Sequence, residues 1–137
     1  MIRKKSHHMK SLVVYTSTTG NTKAVAEYIA KKTDGIAVEA GNVADKDLKS
    51  YDAIVLGSQI HAGKISKGLQ EFICKNSDVL DKCNVSMFVC GMFTGERGAK
   101  QLDKIAKEYG YDNTAYFVKG KKLVQTGDEI DAFIKKI

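Results

Sequence analysis

Apolar positions along this chain fall into two alternating patterns. Short, nearly unbroken apolar runs occur at Ser11–Thr16, at Asp52–Ser58 (with Ala53-Ile54-Val55-Leu56) and at Val85–Cys90, with smaller ones at Ile36–Ala40 and Ala115–Val118. Runs of this length bounded by turn residues read as strands buried on both faces. Between them the spacing becomes helical: Val25, Ala26 and Ile29 within Lys23–Lys32, Leu69, Phe72 and Ile73 within Lys67–Lys75, and Leu102, Ile105 and Ala106 within Ala99–Tyr109. Lys46–Ser50 is at most a helical turn or two. The last helix opens on Thr126-Gly127-Asp128-Glu129, the T-x-x-E form of a capping box, and buries Ile130, Phe133 and Ile134.

Five strands alternating with helices predict an α/β fold, a doubly wound parallel sheet with helices on both faces. No proline, repeat or low-complexity linker interrupts residues 10–137, which read as one domain. Residues 1–9 read as a basic tail, native or added, and Met9 is an alternative start. In doubly wound sheets, ligands bind outside the carboxyl ends of the strands. That rule selects three loops: Thr16–Thr22, Ser58–Lys64 and Cys90–Gly98.

Charge and cysteine usage narrow the classes. The net charge is +6, but Arg3, Lys4, Lys5 and Lys10 supply four of those charges, and the remaining 18 basic residues face 16 acidic ones. The excess sits at one end rather than along a face, which argues against nucleic acid as a partner. No run approaches the ~20 apolar residues of a membrane span, and no secretory pattern follows the basic start. Cys74, Cys83 and Cys90 are odd in number and form no C-x-x-C. That opposes a disulfide framework or zinc site and fits a cytoplasmic location.

The first loop, T-S-T-T-G-N-T, holds five hydroxyl residues where one suffices to cap a helix. Hydroxyls, a glycine for close backbone approach and a helix starting near Thr22 are the ingredients of an anion site. No Lys or Arg lies within it, so neutral donors are expected to meet the anion's charge. The chain has no G-x-x-x-x-G-K-[ST] and no G-x-G-x-x-G after the first strand, which excludes the P-loop and the dinucleotide fingerprint. A phospho-acceptor domain would place acidic residues after the first strand and an Asp at the end of the third, where this chain has Thr16-Ser17-Thr18 and Gly57-Ser58.

Ser17-Thr18-Thr19-Gly20-Asn21-Thr22 resembles the FMN-phosphate loop of flavodoxins, T/S-x-T-G-x-T, at every defined position. The resemblance covers nearly all of Met9 to Ile137. It implies a flavodoxin-like sheet of order 2-1-3-4-5, with Ser17, Thr18, Thr19, Asn21 and Thr22 on the FMN phosphate and Gly20 shaping the turn. In the second loop it implies that His61 takes the place of a ring-stacking aromatic, with Gln59, Ile60, Ala62 and Gly63 beside the flavin. His61 is either such a contact or an exposed loop residue. Gly63 permits the backbone flip that flavodoxins use near flavin N5. In the third loop, backbone N–H groups of Cys90, Gly91 and Met92 face the ring, and Phe93 is either the second aromatic or local packing. Cys90 reads as a small buried group rather than a nucleophile.

The resemblance implies an electron carrier with redox-protein partners, a reductase and an acceptor, acting as a monomer or weak dimer. It supplies no catalytic residues of acid–base type and no metal. The G-S-x-I-x-x-G of the second loop is also similar to flavodoxin-like menaquinone-dependent protoporphyrinogen oxidases, which carry a further long segment that this chain lacks. A flavin oxidoreductase of that type, or a flavin-free binding module on the same fold, are the alternatives. Flavodoxins are strongly acidic, whereas here Lys64, Lys67, Arg97 and Lys100 flank the second and third loops. A higher potential for the fully reduced flavin and a different partner set are therefore expected.

Overall fold

The structure, a computed structural model, describes residues 10–43 and 46–137; the basic tail of residues 1–9 lies outside them. Strand β1 (Ser11–Thr16) leads into α1 (Asn21–Lys32) and β2 (Ile36–Glu39). Two 3₁₀ turns follow, and then β3 (Ala53–His61), β4 (Lys64–Ile65), α2 (Lys67–Lys75) and α3 (Ser77–Leu80). The chain continues through β5 (Val85–Gly91), α4 (Gly95–Tyr109), β6 (Asn113–Val118), α5 (Gly120–Thr126) and α6 (Asp128–Ile134).

The main sheet has order β2-β1-β3-β5-β6, with every pair parallel. Counting its strands in sequence, this is the expected 2-1-3-4-5. Strand residues alternate between two cores, as the period of two requires. Leu12, Val14, Ile54, Leu56, Met87 and Val89 face Leu69 and Phe72 of α2, Leu80 of α3 and Ile105 of α4. Val13, Tyr15, Val55, Phe88 and Phe117 face Val25, Ala26 and Ile29 of α1 and Ile130 and Phe133 of α6. Burying each of these larger side chains contributes about 1.5–3 kcal/mol before entropy is charged against it.

Three elements differ from expectation. β3 runs on to His61 because Ile60 and His61 pair with Ile65 and Lys64 of β4, making a hairpin where an open loop was expected. Ala62 (φ 54°) and Gly63 (φ 78°) form its two-residue turn, with the positive φ values of a type I′ hairpin. The capping box at Thr126 does not form: residues 120–126 are already helical, and the Thr126 hydroxyl donates to Leu123 O. Gly127, at φ 78°, separates α5 from α6 and occupies the cap position itself. Helix α4 begins at Gly95 rather than Ala99, because its first turn lies mostly on the surface and leaves no apolar period.

Candidate functional site

The carboxyl ends of β1, β3 and β5 lie side by side in the middle of the sheet. Their register places Thr16 beside Ser58 and Gln59 beside Cys90. The loops that follow surround a cavity of about 530 Å³, within the usual range for small-molecule sites. Thr18, Thr19, Asn21, Gln59, Ile60, His61, Cys90, Gly91 and Met92 line it, together with Lys119. The three loops selected from sequence therefore converge. A second hollow of about 540 Å³ lies between Ala40–Val43 and α2, away from the loops that follow β3 and β5.

The residues of the first loop divide into two roles. Ser17 Oγ accepts from the backbone N–H of Gly20 (3.1 Å) and of Lys23 (3.4 Å), closing the turn and capping α1, since the cap residue Gly20 has no side chain. Thr22 is buried and hydrogen-bonds the Cys90 thiol, so it braces the loop from beneath. Thr18 and Thr19 are exposed on the cavity wall. Asn21 Nδ2 donates to Thr19 Oγ1 (3.3 Å), and Asn21 Oδ1 accepts from the backbone N–H of Lys121 (3.0 Å). Gly20 takes the left-handed conformation, φ 92°.

The sequence expectation that only neutral groups serve this loop is overturned. A side-chain Cβ placed at Gly20 would lie 2.9 Å from Lys121 Cε and 3.4 Å from its Nζ. A lysine a hundred residues away thus lies over the loop, and no local spacing could reveal it.

The second loop is anchored by hydroxyls. Ser58 Oγ donates to Gln59 O (2.7 Å) and accepts from Ser66 N–H (2.8 Å), while Thr16 Oγ1 bonds Ser66 Oγ. Ser66 also caps α2 by accepting from Leu69 N–H (3.4 Å). This network ties β1, β3 and α2 together, and Ser66 was not singled out in the sequence. Among the described residues, Gln59 Oε1 is a buried side-chain acceptor without a partner, and Gln59 lines the cavity. His61 and Ala62 are exposed on the hairpin; Ala62 and Gly63 do not line the cavity.

In the third loop, burial pushes the Cys90 thiol up to about 11, with the Thr22 hydrogen bond pulling the other way. It is neutral at ordinary pH and inert as a nucleophile. Met92 is 78% exposed at the rim. Phe93 turns aside: its N–H donates to Tyr116 Oη (3.2 Å), and the Arg97 guanidinium stands 4.1 Å from its ring centroid. Neither Phe93 nor Arg97 lines the cavity. Phe93 lines a neighbouring hollow of about 310 Å³ with Gly98, Tyr116 and Val118. Among the described residues, no three His, Cys, Asp or Glu side chains gather as a metal site would require.

Comparison with known proteins decides the family. The family described as "Flavodoxin domain" matches residues 12–125. This chain is a flavodoxin-family protein. It is 37% identical over 93 residues to a flavodoxin of Maridesulfovibrio salexigens, covering 60% of this chain and 63% of that one. It is 31% identical over 108 residues to protoporphyrinogen IX dehydrogenase [quinone] of Escherichia coli K12, covering 74% of this chain and 60% of the relative. The chain thus spans a little over half the length of these curated relatives. Among solved structures, a flavodoxin from the domain Archaea superposes with a TM-score of 0.58 at 25% identity, covering 93% of this chain and 99% of that one. The family implies a flavin cofactor. Among the described residues, no helix is long and apolar enough to cross a membrane.

Proposed function

We propose that this flavodoxin-family chain binds FMN and carries electrons between redox-protein partners. The observation that carries this reading is the cavity's two-ended chemistry. Exposed hydroxyl residues Thr18 and Thr19 line the cavity together with Asn21, and the apolar or neutral side chains of Ile60, Cys90 and Met92 line it as well. A flat heteroaromatic ring suits the apolar and neutral lining, and a phosphate suits the hydroxyls. FMN supplies both, so the residues present fit it.

When bound, FMN supplies one- or two-electron transfer, and the protein supplies position and electrostatics. Thr18, Thr19 and Asn21 would hold the phosphate, over a turn shaped by Ser17, Gly20 and Thr22. Gln59 and Ile60 would line the ring's side of the cavity beside the β5 end. The neutral Cys90 thiol adds no charge beside it. His61 and Met92 stand at the open rim, where a partner protein approaches.

The test is an absorbance spectrum of protein saturated with FMN and dialysed, followed by stepwise anaerobic reduction. Retained colour with two separable one-electron steps supports the carrier. Retained colour with a single two-electron step favours a second reading, a quinone-linked flavin oxidoreductase, for which the Escherichia coli relative speaks. That enzyme would show substrate-dependent turnover without an added redox protein. Complete loss of FMN would leave a flavin-free binding module.

A further inference from the structure

The turn after β6 brings the Lys121 ammonium over a loop that holds no cation of its own, and places a second lysine, Lys119, on the wall of the same cavity. Lys121 Cε and Nζ lie over Gly20, and Lys119 lines the cavity with Thr18, Thr19 and Asn21. The turn is not there by chance of side-chain rotation, because its backbone is fixed. The Lys121 N–H is bonded to Asn21 Oδ1 (3.0 Å). Gly120 is buried so closely that a Cβ there would stand 2.6 Å from Asn21 O and 2.9 Å from Val25 Cγ2. Lys119 is held at φ 57°, ψ 56°, a left-handed conformation that is unfavourable for a lysine. Strain at a cavity wall is the kind retained where it places a functional group. Among the described residues, neither lysine is paired with a carboxylate; the ion pair there is Lys107 with Asp103.

We propose that Lys119 and Lys121 make the first loop a charge-selective site for a phosphate monoester dianion, so that the cavity discriminates a phosphorylated flavin from its unphosphorylated form by charge as well as by hydroxyl hydrogen bonds. This rests on the flavin reading of the same cavity. Charge-assisted donors are stronger than neutral ones, and attraction to exposed ammonium groups is screened by salt. Affinity for FMN should therefore fall as salt rises, and affinity for riboflavin should not.

The experiment titrates the flavin-free protein with FMN, with riboflavin and with inorganic phosphate, at low and high salt, by flavin fluorescence and calorimetry. In the double variant Lys119→Gln/Lys121→Gln, FMN should bind about tenfold more weakly, its salt dependence should flatten, and riboflavin binding should stay unchanged. Lys119→Gly relieves the backbone strain while removing one charge. It should melt no lower than the parent and still lose FMN preference, which separates charge from folding. Lys121→Arg should keep most of the preference. FMN and riboflavin weakening equally, or FMN unchanged, would overturn the proposal while leaving the flavin reading intact. If the parent protein binds neither flavin, the flavin reading fails by itself. Inorganic phosphate then decides the charge site: binding lost in the double variant supports it, and no binding overturns it.

Discussion

The two ends of the cavity are built differently. At the hydroxyl end the loop is bonded on several sides: Ser17 holds the start of α1, Thr22 bonds Cys90, and Asn21 holds the first turn of α5. At the other end the hairpin stands out from the sheet, with His61 and Ala62 exposed, Met92 bare, and Ala62 in a conformation that suits glycine better. The contrast teaches how one site can anchor and present at once. At one end the backbone is over-determined, and at the other few bonds need to break. Local stability varies in this way within many folds, and moving or docking segments come from the weaker end.

The comparison breaks most severely at Gly120. Gly120→Val forces a side chain against Asn21 O and Val25, and should lower unfolding stability by about 3 kcal/mol in urea titration. Amide exchange at Gly20 and Lys23 should accelerate, while that of Ile65 in the hairpin follows only the global loss. Uniform acceleration at both ends would show that the ends are not separately held.

Cys90 lies between the ends, and its burial makes a pH test. Its thiol is raised from an ordinary 9.0 to about 11, so its contribution is full below 9 and is lost as pH rises through 11. Stability should drop by about 2 kcal/mol across that window, and Cys90→Ala should remove that part of the slope. An unchanged slope in the variant would assign the loss to other groups.

At the hairpin the expected effects are smaller and opposite in sign. Ala62→Gly relieves a left-handed alanine and should raise stability by about 1 kcal/mol, whereas Gly63→Ala should lower it by a similar amount. Smallest of all, Arg97→Ala removes the cation over the Phe93 ring and should reduce stability by about 0.5 kcal/mol. Because neither Phe93 nor Arg97 lines the cavity, flavin affinity should not change. A large loss in affinity would return Phe93 to the ring-contact role that its place in the sequence implied.

Much of this was legible because it is local. The apolar runs at 11–16, 53–56 and 85–90 read as buried strands because of their short length and the turn residues that bound them. The hydroxyl loop read as a ligand turn since capping needs one such residue. What escaped was non-local or lacked the usual signal. Ala62-Gly63 is not the Asn-Gly pair that marks a type I′ turn. Thr126 and Glu129 match a capping box in spacing, but Gly127 breaks the helix between them. Ser17 was read as a ligand contact, and it also caps α1 because Gly20 cannot. Lys119 and Lys121 reach the first loop only once β6 has joined the far side of β5, which no window of sequence contains.

The bond from Lys121 to Asn21 also sets an order of events during synthesis. The loop is made a hundred residues before the N–H that pins it. At about 5–20 residues per second, that is a wait on the order of ten seconds. For that interval β1, α1 and the loop exist as a nascent segment whose far-side brace has not been translated. The first loop is therefore braced only after residue 121 has been made, long after its own residues have left the ribosome.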